Sequence, residues 1–154
     1  ASNPNVNWVT GKCHIIDARG SKRRNFVTAY KNLFAKYLRF LNSLYVLNYI
    51  SQPATFWRRE LVERIGYFDE SYHLSMDYDY WLRIFKKYKL GYIDDYLASF
   101  RVHETSKGSR NLNDQLHESL EIAKKYTSKE LFLNLHKLHD IISSYLYRGL
   151  YSKK

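Results

Sequence analysis

The sequence predicts a mixed α/β arrangement, few strands plus several helices, closed by a C-terminal helical hairpin. Three observations carry this. Trp8 to Asp17 and Tyr92 to Val102 are β-favouring stretches. Apolar residues recur at helical spacing from Phe26 to about Leu41. Near the end, Thr127-Ser128-Lys129-Glu130 has the capping-box spacing and separates two helical stretches.

The elements follow in order. Trp8 to Asp17 reads as a strand and Ala18-Arg19-Gly20-Ser21 as its turn, with Lys22-Arg23-Arg24 as a basic tip. In the helix from Phe26, the positions Phe26, Tyr30, Phe34 and Leu38 share a face, with Leu33, Tyr37 and Leu41 beside them. Pro53 pushes Gln52 toward extended backbone, so no helix is expected to run through this point. Arg58 to Ile65 is a short helix, and Gly66 stands where a C′ glycine belongs. Ser75 is placed to N-cap a helix from Met76 to about Tyr88, and Gly91 ends that unit. Leu112 to Tyr126 and the stretch to about Tyr147 form the hairpin. In its second helix Leu131, Leu135, Leu138, Ile142 and Tyr145 lie on one stripe, expected to pack the hairpin.

Composition bounds the function. A chain of 154 residues fits one domain, large enough for a real core. It carries 25 Lys+Arg against 15 Asp+Glu, a formal charge of +10, which suggests an anionic partner or simply solvated basic faces. No run of about 18 uncharged apolar residues is present, so no spanning helix is expected. Residues 1–7 are polar and lack the order of a signal peptide. Cys13 is the single cysteine, which excludes an intrachain disulfide and makes a reducing, cytoplasmic setting the default. With no His or Asp pattern around it, a thiol nucleophile has no support.

The chemistry concentrates between Tyr49 and Gly108. Asp77 falls in the first turn of a helix, where the positive end of the helix dipole favours a carboxylate. Trp81 is four residues on and shares its face, so an aromatic surface beside a carboxylate could hold a sugar. Asp79 precedes Arg83 by four residues, the favoured order for a helical ion pair. Asp79 therefore takes the structural role and Asp77 the chemical one. Taken alone, an Asp in this position is more often a helix-capping acid than a catalyst, and Trp57 and Trp81 could equally be core residues. His136 and His139 are three apart on a helix without a third ligand in register, the pattern of surface histidines.

Four segments stand in a telling order. They are QPATFWRREL from Gln52, GYFDE from Gly66, MDYDYWLR from Met76, and Arg101-Val102-His103 with Ser106 nearby. This order resembles the second half of a family 2 glycosyltransferase of the GT-A type, over about Trp8 to Ser109. The resemblance implies a partial GT-A nucleotide-diphospho-sugar transferase fold. Residues 1–110 would be its acceptor-side half and 111–154 a C-terminal helical extension. Asp77 matches the general base of inverting members, although Met76 stands where many relatives have Glu. His103 matches a position that in some relatives approaches the metal or the diphosphate. Arg101 would pair with diphosphate or with Asp95. Trp57, Arg58 and Trp81 would line the acceptor pocket, and Gln52 with Pro53 would mark its entry. The family's Asp-x-Asp metal motif has no counterpart upstream, and Asn3-Pro4-Asn5-Val6 resembles the segment just after it. The sequence is therefore expected to be a fragment of a longer enzyme.

The implied activity is sugar transfer with inversion, from a nucleotide-diphosphate donor to a saccharide or lipid-linked acceptor, in polysaccharide biosynthesis at the cell envelope. The complete enzyme would use Mn²⁺ or Mg²⁺, which the fragment alone would not hold. Peripheral contact with the inner face of the cell membrane is implied, and no nucleic-acid partner. The fragment is expected to leave a sheet edge and apolar surface open, to self-associate and to be inactive alone. Two other classes stay open. One is a non-catalytic basic module binding nucleic acid or an anionic membrane surface. The other is an oligomerisation segment built on the last two helices.

Overall fold

A computed structural model describes residues 6–23, 26–103 and 106–151. It is mixed α/β. A four-stranded sheet is built on β1 (Trp8–Ile16). β4 (Gly91–Arg101) runs parallel to β1 along nearly its whole length. On the opposite edge of β1, two short strands share the pairing, both antiparallel. β3 (Thr55–Trp57) takes Trp8 to Thr10 and β2 (Lys22–Arg23) takes Ile15 and Ile16.

The β1–β4 register slips on both sides of Lys12. Gly11 sits at this irregularity for a steric reason. A Cβ there would lie 2.5 Å from Leu97 Cδ1 and 3.1 Å from the Asp95 carbonyl oxygen. The strand pairing of β2 and β3 was not legible beforehand. Lys22–Arg23 was expected only as a basic tip, and Thr55–Trp57 only as sequence after a proline break; Arg24 lies outside the described residues.

The helices fall close to their expected positions. α1 (Phe26–Leu33) continues into a wide π-type turn at Phe34–Leu38 and stops before Leu41. Pro53 opens a single 3₁₀ turn, Gln52–Ala54, that leads into β3. α2 (Arg59–Ile65) ends at Gly66, whose φ of 88° favours glycine. α3 (Met76–Phe85) begins after Ser75, but the Ser75 side chain does not cap it. A short α4 (Lys107–Arg110) precedes α5 (Leu112–Tyr126) and α6 (Glu130–Tyr151). Thr127 Oγ1 accepts the Lys129 N–H at 3.2 Å, so the capping-box serves the approach to α6 and the helix itself opens at Glu130. No described helix is long and apolar enough to cross a membrane.

One core joins the sheet to the last helices. Trp8, Trp81, Leu82 and Ile84 pack in the same buried cluster as Ile122, Ala123 and Leu133. α6 meets this core with an unexpected face. Leu131, Leu135, Leu138, Ile142 and Tyr145 are exposed, with Leu131 at 68% and Tyr145 at 72%. Leu133, His136 and Ser143 are the buried positions. The expected packing stripe thus points to solvent, and His136, expected on the surface, is buried. Exposed apolar side chains also stand on α1 and β4, including Phe26, Leu33, Ile93 and Phe100.

Candidate functional site

The cavity lies between the end of the sheet, α1, the N-terminus of α3 and the last two helices. Its volume is about 510 Å³. Cys13 and Ile15 of β1 line it, with Phe100 of β4, Tyr30 and Lys31 of α1, and Asp77 of α3. Asn48, Gln52 and Pro53 contribute from the loop after α1. α6 supplies His136, His139, Asp140 and Ser143. Cys13 is buried, and desolvation pushes its thiol pKa up, which leaves it protonated and inert.

Asp77 is partly buried in the cavity wall. Its Oδ1 accepts the Tyr78 N–H at 2.7 Å, and Asn48 lines the same cavity wall. Desolvation pushes its pKa up; the Lys31 ammonium and the Tyr78 hydrogen bond oppose the shift without cancelling it. A carboxylate with a raised pKa is a stronger proton acceptor than a free one.

The loop that delivers Asp77 is held by α5. The Glu118 carboxylate accepts three successive backbone N–H groups: His73 at 2.9 Å, Leu74 at 2.8 Å and Ser75 at 2.6 Å. Ser75 Oγ donates to the Gln115 carbonyl at 3.3 Å. This explains why the serine does not cap α3. The role of Glu118 carried no local signal, because its partners lie 43–45 residues away.

Asp79 is 3% exposed and accepts Arg83 Nε at 2.9 Å. Tyr126 OH donates to its other oxygen. The Arg83 guanidinium also donates to the Ile65 and Tyr67 carbonyls, at 3.1 and 2.8 Å. The pair therefore fastens α3 to the Gly66 turn, the structural role read from its spacing.

The remaining candidates disperse. Trp81 is fully buried; its ring stacks on Trp8 at 5.8 Å and meets Trp57 edge-on at 5.5 Å. It lies one turn deeper along α3 than Asp77, about 6 Å by helix geometry, which takes it from the cavity mouth into the core. Trp57 packs edge-on against Phe68 and Tyr80 as well. Neither tryptophan lines the cavity. Arg58 is exposed and donates from Nε to the Val6 carbonyl at 3.0 Å. Arg101 donates to the Asp17 and Ala18 carbonyls at 3.0 and 2.8 Å. It pins the turn after β1 rather than meeting Asp95.

Gln52 and Pro53 stand exposed on the cavity rim. His103 is exposed outside the lining, its N–H donating to Ser106 Oγ at 3.1 Å. Among the described residues no three His, Cys, Asp or Glu side chains converge as a metal site. His103 belongs to no such group among the described residues. Glu104, Thr105 and Asn3 to Asn5 lie outside the described residues.

No protein-family model, curated protein or solved structure matches the chain.

Proposed function

We propose that the chain is the acceptor-side part of an inverting family 2 glycosyltransferase of GT-A type. Asp77 acts as general base. The observation that supports this best is a carboxylate of raised pKa in the first turn of α3, facing a 510 Å³ cavity. It sits within the ordered set of segments that resembles the family.

The reaction balances on residues and substrates alone. An acceptor hydroxyl oxygen attacks the anomeric carbon of the donor sugar. The bond from that carbon to the diphosphate oxygen breaks, and the nucleoside diphosphate leaves with its electron pair. The hydroxyl becomes acidic as its new bond forms, so its proton passes late to the Asp77 carboxylate. The Glu118 clamp fixes the loop before Asp77, and the Tyr78 N–H holds its carboxylate.

The test is release of nucleoside diphosphate from nucleotide sugars by the protein that carries this sequence. Asp77→Asn should lower kcat by about 10²–10⁴-fold, the usual contribution of a general base. An unchanged rate in a folded variant refutes the reading.

A further inference from the structure

We infer that Asp140 of α6 is a second ligand-binding carboxylate in this cavity, and that it positions an uncharged polyhydroxylated ligand by accepting its hydroxyl groups. The inference rests on the acceptor-site reading of the cavity and extends it to a helix that the resemblance does not reach.

α6 presents a polar face to the cavity. Its inward residues at the cavity are His136, His139, Asp140 and Ser143, while Leu131, Leu135 and Leu138 face outward and only Leu133, a turn earlier, joins the core. A helix that only packed would turn the other way. Polar groups on a buried face are costly unless something satisfies them.

The polar groups of this face are not equally satisfied. His136 is locked: its Nδ1 donates to the Tyr45 carbonyl at 3.0 Å, and Nε2 faces Ser119 Oγ at 3.2 Å. Burial lowers the His136 pKa, so the ring is neutral and turns a lone pair, not a proton, toward Asp140. His139 Nε2 meets Ser143 Oγ at 3.0 Å. The Asp140 carboxylate stands 3.6 Å from both His136 Nε2 and His139 Nδ1, beyond hydrogen-bond reach. It accepts no hydrogen bond among the described residues, although its side chain is only 15% exposed. Its acceptor capacity is open in the wall of the cavity.

The charges of the wall select the ligand. Two carboxylates, Asp77 and Asp140, disfavour an anion. The Lys31 and Lys107 ammonium groups in the same wall match them in number and disfavour a cation. A neutral ligand rich in hydroxyls fits both, and the rings of Tyr30, Phe68 and Phe100 suit the apolar face of a sugar ring.

The test uses the full chain and a panel of methyl glycosides of glucose, galactose, mannose and N-acetylglucosamine. Binding is followed by the imidazole ¹³C–¹H signals of His136 and His139. At least one glycoside should shift these signals saturably. Asp140→Asn and Asp140→Ala should weaken that glycoside tenfold or more, and Leu138→Ala on the outer face should leave it within twofold. Should both Asp140 variants fail to fold, monodeoxy glycosides on the wild type replace them, and loss of one particular hydroxyl should cost tenfold. No saturable shift with any glycoside, equal binding to a folded Asp140 variant, or equal binding of every deoxy analogue overturns the inference. Failure of Asp77→Asn to slow sugar transfer, with Asp140-dependent glycoside binding intact, refutes the base and leaves the inference standing.

Discussion

α3 and α6 both reach the core, and they do so with opposite polarity. α3 turns Tyr78, Tyr80, Trp81, Leu82 and Ile84 inward, and its buried Asp79 is paired with Arg83 and accepts the Tyr126 hydroxyl. α6 turns His136, Asp140 and Ser143 inward and leaves its apolar stripe in solvent. The difference follows from what each helix faces. α3 covers aromatic rings, where apolar burial stabilises; α6 covers a cavity, where polar groups can be met by a ligand or water. Which face a helix buries is thus set by the chemistry of its neighbour, and only partly by its own hydrophobic pattern.

The largest expected effect tests the α3 side. Trp81→Ala should cost about 3–5 kcal/mol, enough to unfold much of the population, as read by thermal denaturation. A loss below 1 kcal/mol would contradict the packing of Trp81 between Trp8 and Trp57. Next comes the clamp between the two regions. Glu118→Gln weakens three charge-assisted bonds and should cost about 1.5–3 kcal/mol.

The α6 side should show itself in acid. Burial lowers the His136 pKa below its unfolded value near 6.5, so the unfolded chain binds a proton that the folded one does not. Stability is full above about pH 6.5 and falls as pH drops through the unfolded and then the folded pKa, by at most about 1.4 kcal/mol per pH unit. In His136→Asn this slope should flatten; an unchanged slope removes His136 as its source.

Asp77 has the reverse sign. Its pKa is raised, so its favourable contribution is full below about pH 4 and is lost as pH rises through the folded value. Asp77→Asn should therefore raise Tm at pH 7, by about 2–4 °C per kcal/mol recovered, and leave it unchanged at pH 3. A lower Tm at pH 7 would mean that the Lys31 attraction outweighs desolvation. The smallest effect returns to the outer stripe. Leu138→Ala should change stability by less than about 0.5 kcal/mol, far below the cost of a core leucine.

Much of this architecture was legible in the residues themselves. α5 fell on its expected bounds, and Asp79 and Arg83 paired as their spacing required, because these signals are local. The short strands were not legible. Two or three residues carry no alternation to read, and β2 and β3 exist because β1 offers them an edge. The site was half legible. Asp77 stands in the cavity, whereas Trp81, four residues on, is buried, since sharing a helix face says nothing about depth. The α6 stripe is real as a stripe, but periodicity has no sign: it cannot tell inside from outside. Glu118 and Asp140 matter through partners on distant elements, which no window along the chain contains.

The parallel pairing of β1 with β4 also has a consequence in time. Val9 opposes Gly91, so the longest ladder of the sheet joins segments roughly eighty residues apart, the kind of topology that folds in milliseconds to seconds. During synthesis the gap is longer. At about 5–20 residues per second, β1 leaves the ribosome some 4–16 s before β4 exists. For that interval only the two-pair ladder with β2, and later β3, can occupy its hydrogen-bonding groups. Their antiparallel returns give a nascent β1 something to hold while its main partner is still being made.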